Sequence, residues 1–488
     1  MKARCRIPVL LCCALAVAAA GARAQTVERV VRVEPLKSGA GRYVYVPFDV
    51  PRGASRVRVS YDYARERGAN TIDIGLFDAR GFRGWSGGRR SEFFVAAGEA
   101  TPGYLAGALT AGRWRVVLGL YKVAAAGVDV RVTIAIETGG AVPVRRAPAP
   151  RHLTSYSSDG LAAKARWFAG DLHMHTVHSD GDWTVQGLAE AARKTGLDFI
   201  FVTDHNTSSH HGDVGRANDG LRQPLVMRGE EVTTYGGHAN AWGLPEWGWV
   251  DFRVRPGDSA AMAEVAANAH RLGSLISVNH PFAACGGCDW SYGDAARAFD
   301  AFEVWNGEWD ATDESALKMW DGLLRSGLRL TAVASSDSHR AQNPIGHPTT
   351  NVAAAGLSQG SLLDAIRRGR VYLTAEAGRP VVSFEAWARG GARGRRRALP
   401  GDEVRMKGPG TLLLFVGVLD APEGASASLV KDGEVLRGVP FDDYPNAAPT
   451  KVEVECGRDG YYRLEVRDAR GKMLALTNPV YVRVGRRR

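Results

Sequence analysis

The pattern of apolar and polar residues divides the chain into three parts. From residue 25 to 138, short runs such as YVYVPFDV and VDVRVTIAI alternate apolar and polar positions and are separated by Gly and Pro. This period of two is typical of half-buried strands, so the pattern predicts an N-terminal β-sandwich accessory domain. Residues 379–488 return to the same alternation, and their Gly and Asp turns predict a C-terminal immunoglobulin-like β-sandwich.

Residues 165–378 follow a different pattern, in which apolar strands alternate with amphipathic helices. The segment TVQGLAEAARKTG has the period of a helix, with Thr184 as its N-cap and Gly196 just past its end. Repeated strand–helix units predict a parallel sheet covered by helices. A closed α/β barrel is the first choice and an open doubly wound sheet the alternative. Residues 139–164, rich in Pro, Gly and Ser, are predicted to be a linker.

The first 24 residues have the pattern of a secretory signal peptide. Lys2, Arg4 and Arg6 precede an apolar run of about 14 residues, and small residues follow at Ala22 and Ala24. A spanning helix needs roughly 20 apolar residues, so cleavage near Ala24 is favoured over an anchor. No other stretch is apolar enough to span a bilayer. We therefore expect an exported protein, either periplasmic or secreted.

The net charge bears on nucleic-acid binding, and the cysteines bear on disulfide formation. Loss of the four basic residues of the signal segment lowers the formal charge from +10 to +6, and the remaining arginines are scattered. A stable nucleic-acid complex is therefore not expected. In an oxidising compartment, Cys285 and Cys288 of the CGGC segment are expected to form a small structural disulfide. Cys456 is expected to be buried.

Histidines and carboxylates are concentrated where the predicted strands of the central part end. Ten of the twelve histidines lie between residues 173 and 339. Barrel enzymes build their sites from the C-terminal ends of several strands, so these side chains are expected to meet at one rim. The cluster contains His173, His175, Asp180, His205, Glu230, Glu231, His238, His280, Asp337 and His339.

Such a mixture of imidazoles and carboxylates suits divalent zinc, manganese or iron. The donors are too many for one ion, and two or three ions bridged by carboxylates fit their number. Such ions clamp phosphoryl oxygens and lower the pKa of a bound water to near neutral, which generates hydroxide.

The motifs around these residues resemble a known family. DLHMHTVHSDG, VTDHN, GEEVTT, GHANAWG, VNHP and SSDSH are, in this order, similar to the motifs of the PHP (polymerase and histidinol phosphatase) superfamily of metal-dependent hydrolases. The EVWNG segment and the closing TNPVYV are most similar to its CehA/McbA branch, named for carbaryl hydrolase. The resemblance implies a distorted (β/α)7 TIM-like barrel over residues 165–378, with two or three divalent metal ions (Zn, Mn or Fe) as cofactors.

The resemblance also implies a division of the ligands among three metals. The first metal would be held by His173, His175, Glu231 and Asp337, the second by Glu231, His238 and His280, and the third by Asp180, His205 and His339. Glu231 is preferred because the family pattern reads Gly, any residue, Glu. Its neighbour Glu230 stays open as the alternative.

Six residues are candidates for catalysis or for substrate binding. The catalytic candidates are Asp337, Asp204 and His211, and the substrate-binding candidates are Asn306, Arg340 and His210. Asp204 is expected to orient a ligand imidazole. His210 and His211 could donate a proton to a leaving group or lie in a surface loop. Arg340 could bind a phosphate through two hydrogen bonds or pair with a surface carboxylate.

These inferences give one leading hypothesis and two alternatives. The leading hypothesis is an exported metal-dependent hydrolase that acts on a small anionic phosphoester or phosphodiester through a metal-bridging hydroxide. The second hypothesis is a carbamate or carboxylic ester hydrolase. The third, from another class, is an envelope- or glycan-binding protein whose β domains make the contact and whose barrel is stabilised by metal.

Overall fold

The computed structural model describes residues 23–36, 41–65, 69–139, 166–219, 223–285, 287–389, 397–443 and 448–485. The predicted signal peptide, apart from its last two residues, and nearly all of the predicted linker lie outside these ranges, so both stay predictions. Among the described residues, no helix has the length and apolar character needed to cross a membrane.

The N-terminal part consists of two antiparallel sheets that enclose one apolar core. Its strands are β1 (Arg23–Val33), β2 (Tyr43–Val50), β3 (Ala54–Tyr63), β4 (Thr71–Phe77), β5 (Phe82–Gly87), β6 (Glu92–Ala96), β7 (Gly112–Lys122) and β8 (Val128–Thr138). The strand orders are β1-β8-β3-β6 and β2-β7-β4-β5. The apolar residues of the alternating runs, such as Val57, Ile74 and Trp114, face this core, as the period of two predicts.

Within its described residues, the central part contains nine strands and five α-helices. The strands are β9 (Arg166–Asp171), β10 (Phe199–Val202), β11 (Leu225–Thr234), β12 (Gly237–Trp242), β13 (Leu275–Asn279), β14 (Ala301–Asn306), β15 (Thr331–Ser335), β16 (Thr349–Ala354) and β17 (Val371–Thr374). The helices are α1 (Val185–Thr195), α2 (His211–Ala217), α3 (Ser259–Arg271), α4 (Ala311–Arg325) and α5 (Gln359–Arg367), with a short 3-10 helix at Gly293–Ala298. The predicted caps of α1 are confirmed: the Thr184 side chain accepts a hydrogen bond from the Gly187 N–H, and Gly196 ends the helix at φ +80°.

The sheet of the central part is mixed, so the prediction of a parallel sheet is wrong for some of its strands. The order is β15-β14-β13-β12-β11-β10-β9-β16-β17. β12 is antiparallel to both neighbours, and β16 is antiparallel to β9. Only Tyr235 and Gly236 separate β11 from β12, and so short a connection reverses the chain, whereas parallel pairing needs a long crossover.

Side chains, rather than a backbone ladder, link the two ends of this curved sheet. β15 forms no strand ladder with β16 or β17 within the described residues. Instead, the Thr350 hydroxyl accepts from the Ala334 N–H (2.9 Å) and donates to the Ala334 carbonyl (2.6 Å). The Asn478 side chain accepts from the Ala332 N–H (2.8 Å) and donates to the Ala332 carbonyl (2.9 Å). The architecture is therefore α/β with a side-chain seam, which differs from a barrel closed by strand pairing.

The C-terminal part continues the central sheet. Its strands are β18 (Val381–Ala388), β19 (Glu403–Met406), β20 (Gly410–Leu419), β21 (Ser426–Lys431), β22 (Glu434–Val439), β23 (Thr450–Cys456), β24 (Gly460–Arg467), β25 (Met473–Thr477) and β26 (Val480–Val484). β25 pairs with β17, so one sheet runs from the central part into this one, and β18-β20-β23 forms a separate sheet. A second apolar core, which includes Leu414, Leu429 and Leu464, lies between them.

Candidate metal centre

Two chain segments, which follow β9 and β15, bring four candidate ligands together. His173 and His175 follow β9, and Asp337 and His339 follow β15. The segments lie side by side, with the His175 N–H donating to the Ser338 carbonyl at 3.0 Å. Alternate residues of an extended chain share a face, so each pair points to the same side.

Glu231, on β11, is the hub of the cluster. Its Oε1 lies 3.2 Å from His173 Nε2, 3.2 Å from His238 Nδ1 and 3.1 Å from His280 Nε2. Its Oε2 lies 2.6 Å from His205 Nδ1. One carboxylate thus contacts imidazoles from four different segments of the chain, which is the arrangement expected of a bridging ligand.

The neighbouring Glu230 points away from the cluster. Its Oε2 accepts a hydrogen bond from the Val250 N–H at 2.8 Å, and the side chain is buried. Burial holds the pKa of Glu230 well above its ordinary value. Adjacent strand residues face opposite sides of a sheet, so only Glu231 of this pair can reach the histidines.

Two further carboxylates complete the cluster. Asp337 Oδ1 lies 3.0 Å from His175 Nε2 and 3.4 Å from His173 Nε2. Asp180 Oδ1 lies 3.4 Å from His205 Nε2 and 3.3 Å from His339 Nε2. The structure therefore brings all nine residues of the preferred ligand set into one connected group.

The backbone is strained at two of these positions. Asp337 has φ +51° and His280 has φ +24°, a region that residues other than glycine seldom occupy. Each residue lies just after a strand, where the bend turns its side chain toward the others. Such strain persists where the surrounding structure holds it, and it is concentrated at functional sites.

The electrostatics of the cluster favour charged carboxylates beside a neutral His175. Burial opposes ionisation of Glu231, but His173, His205 and His238 hold its pKa well below the ordinary value. Burial, together with the nearby His339 and His205, lowers the pKa of His175 to about 4. His175 is thus in the neutral form in which an imidazole ligates a metal. Despite burial, the nearby carboxylates raise the pKa of His173 well above its ordinary value and that of His205 to about 9, so these two imidazoles would release their protons when a metal binds.

Several donor atoms of the cluster lack hydrogen bonds, which is a further reason why they fit a metal site. The atoms His173 Nε2, His175 Nε2, Asp180 Oδ1 and Asp337 Oδ1 are buried and have no hydrogen-bond partner among the described residues. Unpaired buried polar atoms are costly, and a bound cation would satisfy all of them at once. Within the nine-residue cluster, donor atoms within 4.8 Å of one another form three groups: His175–Asp180–His205–His339, His173–Glu231–His280 and His173–His175–Asp337. These groups overlap the predicted division, and they add His175 to the third set and His173 to the second. They leave Glu231 out of the first set and His238 out of the second.

Glu303 is a functional residue that the sequence reasoning missed. Its Oε1 lies 3.2 Å from His173 Nδ1, and its Oε2 accepts from the His280 backbone N–H at 2.9 Å. Carboxylates in this position fix the tautomer and the orientation of metal-binding histidines. The signal was an acidic residue inside the apolar strand AFEVWN, which becomes β14.

The predicted catalytic residues Asp204 and His211 lie behind the cluster. Asp204 accepts hydrogen bonds from the Thr176 N–H (2.7 Å) and the Ser179 hydroxyl (2.6 Å), so it holds the loop that carries Asp180 rather than a ligand imidazole. His211 is buried at the start of α2, and its Nδ1 accepts from the Trp247 N–H.

The substrate-binding candidates differ in accessibility. His210 is buried and lies 3.2 Å from Asp204, so it does not face solvent, and a surface loop at His210 and His211 is wrong. Asn306 is partly buried and donates to Glu303 Oε2 at 3.1 Å. Arg340 is exposed beside His339 and forms no ion pair within the described part of the chain.

The N-terminal sandwich contacts the loops that carry the candidate ligands. The Arg90 guanidinium donates to the carbonyls of Val177 (2.6 Å) and Ser179 (3.3 Å), just before Asp180. The Tyr235 hydroxyl, on the β11–β12 turn, donates to Asp73 at 2.7 Å. This domain therefore forms part of the surroundings of the site.

The predicted disulfide between Cys285 and Cys288 is confirmed, and Cys456 is buried. The disulfide lies in the loop that follows His280. Cys288 Sγ is 3.9 Å from His238 Nδ1.

Comparisons with known proteins give structural likenesses only. No family model and no curated protein matches the chain. A two-domain protein from Bacteroides vulgatus, containing a predicted PHP-like metal-dependent phosphoesterase, is 18% identical with a TM-score of 0.37, and the match covers 69% of this chain and 100% of that one. A candidate metal-dependent phosphoesterase from Bifidobacterium adolescentis is 18% identical with a TM-score of 0.29, covering 40% of this chain and 94% of that one. An amidohydrolase from Chromobacterium violaceum, with bound sulfate and no metal, is 16% identical with a TM-score of 0.28, covering 37% and 90%. Likeness at this level does not assign an activity, so the chemistry has to come from the side chains of this chain.

Proposed function

We propose that the chain is a metal-dependent hydrolase of the PHP superfamily that cleaves small anionic phosphoesters. The observation that carries the proposal is the cluster around Glu231, in which nine histidines and carboxylates converge and several buried donor atoms form no hydrogen bond with the described residues. The order of the sequence motifs supports the family, and their similarity to the CehA/McbA branch is part of the same proposal.

The residues fit two or three divalent ions. Glu231 would bridge, with His173 and His280 on one side and His205 on the other, and Asp337 and Asp180 would complete the sets. Divalent ions held here would lower the pKa of a bound water and neutralise charge on phosphoryl oxygens.

The protein supplies orientation and access. Glu303 holds His173 by one nitrogen and leaves the other free to face Glu231. Asp180, His205 and His339 are the more exposed end of the cluster, with side-chain exposures of 43%, 21% and 23%, so substrate approaches from that end.

Charge near this opening supports an anionic substrate. Arg340 follows His339 and is exposed, and a guanidinium can donate two hydrogen bonds to one phosphate. A neutral carbamate would gain little from this cation. The preference for phosphoesters over carbamates rests on this charge.

Turnover of three substrates tests the proposal. The purified chain, supplied with Mn²⁺ or Zn²⁺, should hydrolyse p-nitrophenyl phosphate or bis-p-nitrophenyl phosphate, and His173→Ala should abolish the activity. Arg340→Ala should raise KM for the phosphoester and leave the bound metal unchanged, because this residue contacts substrate only. Turnover of 1-naphthyl N-methylcarbamate alone would replace the phosphoesterase with an ester or carbamate hydrolase. If the chain showed no turnover of any substrate and bound no metal, the proposal that it is a metal-dependent enzyme would be wrong.

A further inference from the structure

The loop that carries the disulfide joins two of the candidate metal ligands. It begins directly after His280, and the Trp290 N–H donates to the Pro281 carbonyl at 3.0 Å, which closes its base. The Gly237 N–H, beside His238, donates to the Gly287 carbonyl at 3.0 Å. The disulfide is therefore held against the part of the cluster formed by Glu231, His238 and His280.

The two sulfur atoms have different surroundings. Cys288 is 4% exposed, and its Sγ lies 3.9 Å from His238 Nδ1, the same nitrogen that lies 3.2 Å from Glu231 Oε1. Cys285 is exposed, and its carbonyl accepts a hydrogen bond from the Tyr121 hydroxyl of the N-terminal sandwich at 2.8 Å. One sulfur can thus be reached from solvent, while the other faces the metal ligands.

Together with His238, both sulfurs satisfy the geometry of a donor set. A ring nitrogen of His238 and the Sγ atoms of Cys285 and Cys288 lie within 4.8 Å of one another. In the oxidised pair neither sulfur is a thiolate, and the thiolate is the form that ligates metal. The set is therefore complete only after reduction.

We propose that the Cys285–Cys288 pair is a redox-controlled ligand switch, in which reduction makes Cys288 a sulfur donor to a metal held at His238. This inference rests on the proposed function only in requiring a metal at that position. In the oxidised protein the position offers nitrogen and oxygen donors, which suit zinc, manganese or iron. Reduced, it gains a soft sulfur donor, which favours zinc.

The exchange reaction follows from the exposure of the two sulfurs. A thiolate of a dithiol reductant attacks the exposed Cys285 Sγ, the S–S bond breaks, and its electron pair leaves on Cys288 as a thiolate. The second thiol of the reductant then attacks the mixed disulfide and releases Cys285, which takes up a proton. The reductant leaves as a disulfide, so two electrons pass to the protein. The thiolate that leaves is the one next to His238.

Cobalt binding to the full chain tests the switch without relying on activity. The matched variants are Cys285→Ser and Cys288→Ser, because each removes the disulfide and leaves one thiol of the pair. Co²⁺ is added to the oxidised wild type, to the wild type reduced with a phosphine, and to both variants. Bound cobalt is counted by metal analysis, and sulfur ligation is detected by the sulfur-to-cobalt charge-transfer band in the near ultraviolet. Cys456 is the same in every sample and is buried against Tyr462, so it does not separate them.

The switch predicts the band in reduced wild type and in Cys285→Ser, and its loss in oxidised wild type and in Cys288→Ser. It also predicts that the ratio of bound zinc to bound manganese rises on reduction of the wild type and stays constant in Cys288→Ser. Bound cobalt without the band in Cys285→Ser would overturn the switch and leave the metal centre intact. An equal band in Cys288→Ser would overturn the assignment to Cys288. No bound cobalt in any form would overturn the metal centre itself, and the switch with it.

Discussion

The two β-rich parts that flank the α/β part are attached to it in different ways. The C-terminal part shares a sheet with it through β17 and β25, and buried ion pairs join β24 to α4. The N-terminal sandwich forms no strand pairing with it among the described residues, but Phe77, Trp85 and Val117 pack into the apolar core of the α/β part. Its polar side chains reach loops, with Arg90 at the Asp180 loop and Asp73 at the β11–β12 turn.

This difference separates the stability of the fold from the geometry of the site. Backbone pairing and a buried ion pair make the central and C-terminal parts one cooperative folding unit, whereas hydrogen bonds to loops mainly fix the conformation of those loops. We expect damage to the C-terminal connection to unfold the protein. Loss of the N-terminal hydrogen bonds to the loops, with the apolar contacts kept, should alter metal binding while leaving the fold.

The largest expected effect is on stability, from Asp321→Ala. Asp321 on α4 accepts from Arg463, which is 1% exposed, at 2.6 Å, and Arg463 also pairs with Glu465. Removing one partner of a buried ion network costs about 3–5 kcal/mol, because the remaining charge is left without its partner. Denaturant unfolding of this variant should show that loss, with the metal content of the folded fraction unchanged.

The matched control is a substitution in an exposed ion pair that also joins the central and C-terminal parts. Lys472 Nζ lies 2.6 Å from Glu308, whose side chain is 85% exposed. Because exposed pairs contribute little, Glu308→Gln should unfold at the wild-type denaturant concentration. If both variants lost the same stability, the buried network would not be what joins the two parts.

The next effect is on the site, from Arg90→Ala. This substitution removes the hydrogen bonds to Val177 and Ser179, so the loop loses its fixed geometry at Asp180. Residues that orient ligands change metal affinity by about 10–100-fold. Competition with a chelator should show that loss, while the thermal midpoint changes little.

Its neighbour Arg89 offers a matched control for this experiment. The Arg89 side chain pairs with Asp182 of the same loop at 3.0 Å, but both side chains are about half exposed, and such a pair contributes little to holding the loop. Arg89→Ala should therefore keep wild-type metal affinity. Equal losses in the two variants would mean that nonspecific positive charge, rather than the loop contact, maintains the site.

The smallest effect is a pH dependence at the interface between the N-terminal and central parts. Burial raises the pKa of Asp73 from 3.8 to about 6, although the Tyr235 hydrogen bond opposes the shift. Between these values the folded state keeps a proton that the unfolded chain releases, so stability falls as pH rises through this window. In Asp73→Asn that dependence disappears, while the Asn side chain can still accept from Tyr235. The gap in thermal midpoint between variant and wild type should thus widen in the variant's favour from pH 4 to pH 6, and a constant gap would contradict the raised pKa.

Helices and strands could be predicted from the sequence more accurately than the direction and partners of the strands. The caps at Thr184 and Gly196 follow from local chemistry, so the ends of α1 were predictable. The antiparallel β12 was not, because alternation and apolar runs do not record strand direction. The seam at Asn478 was also hidden, since it joins residues 146 positions apart in the chain.

The candidate site was predictable where motif and strand end coincide. His173, His175, Asp337 and His339 lie two residues apart within their pairs, at strand ends, and the structure brings them together. Glu303 was missed because an acidic residue in an apolar strand could equally form a structural ion pair, and the sequence does not show that its partner is His173. The burial of His210 was not predicted either, although the contact that accompanies it, with Asp204 at 3.2 Å, is only six residues away in the sequence.

One measurement tests the metal centre most directly: the number of divalent ions per chain in Glu231→Gln and Glu230→Gln. The two glutamates are neighbours on one strand, and only Glu231 contacts the histidines. Glu231→Gln should lose at least one bound ion and more than about 100-fold in phosphoester turnover, a larger effect than loss of an orienting residue. Glu230→Gln should match wild type in both, because its raised pKa makes it a neutral side chain already. Full metal content in Glu231→Gln, or equal loss in Glu230→Gln, would contradict the metal centre described here.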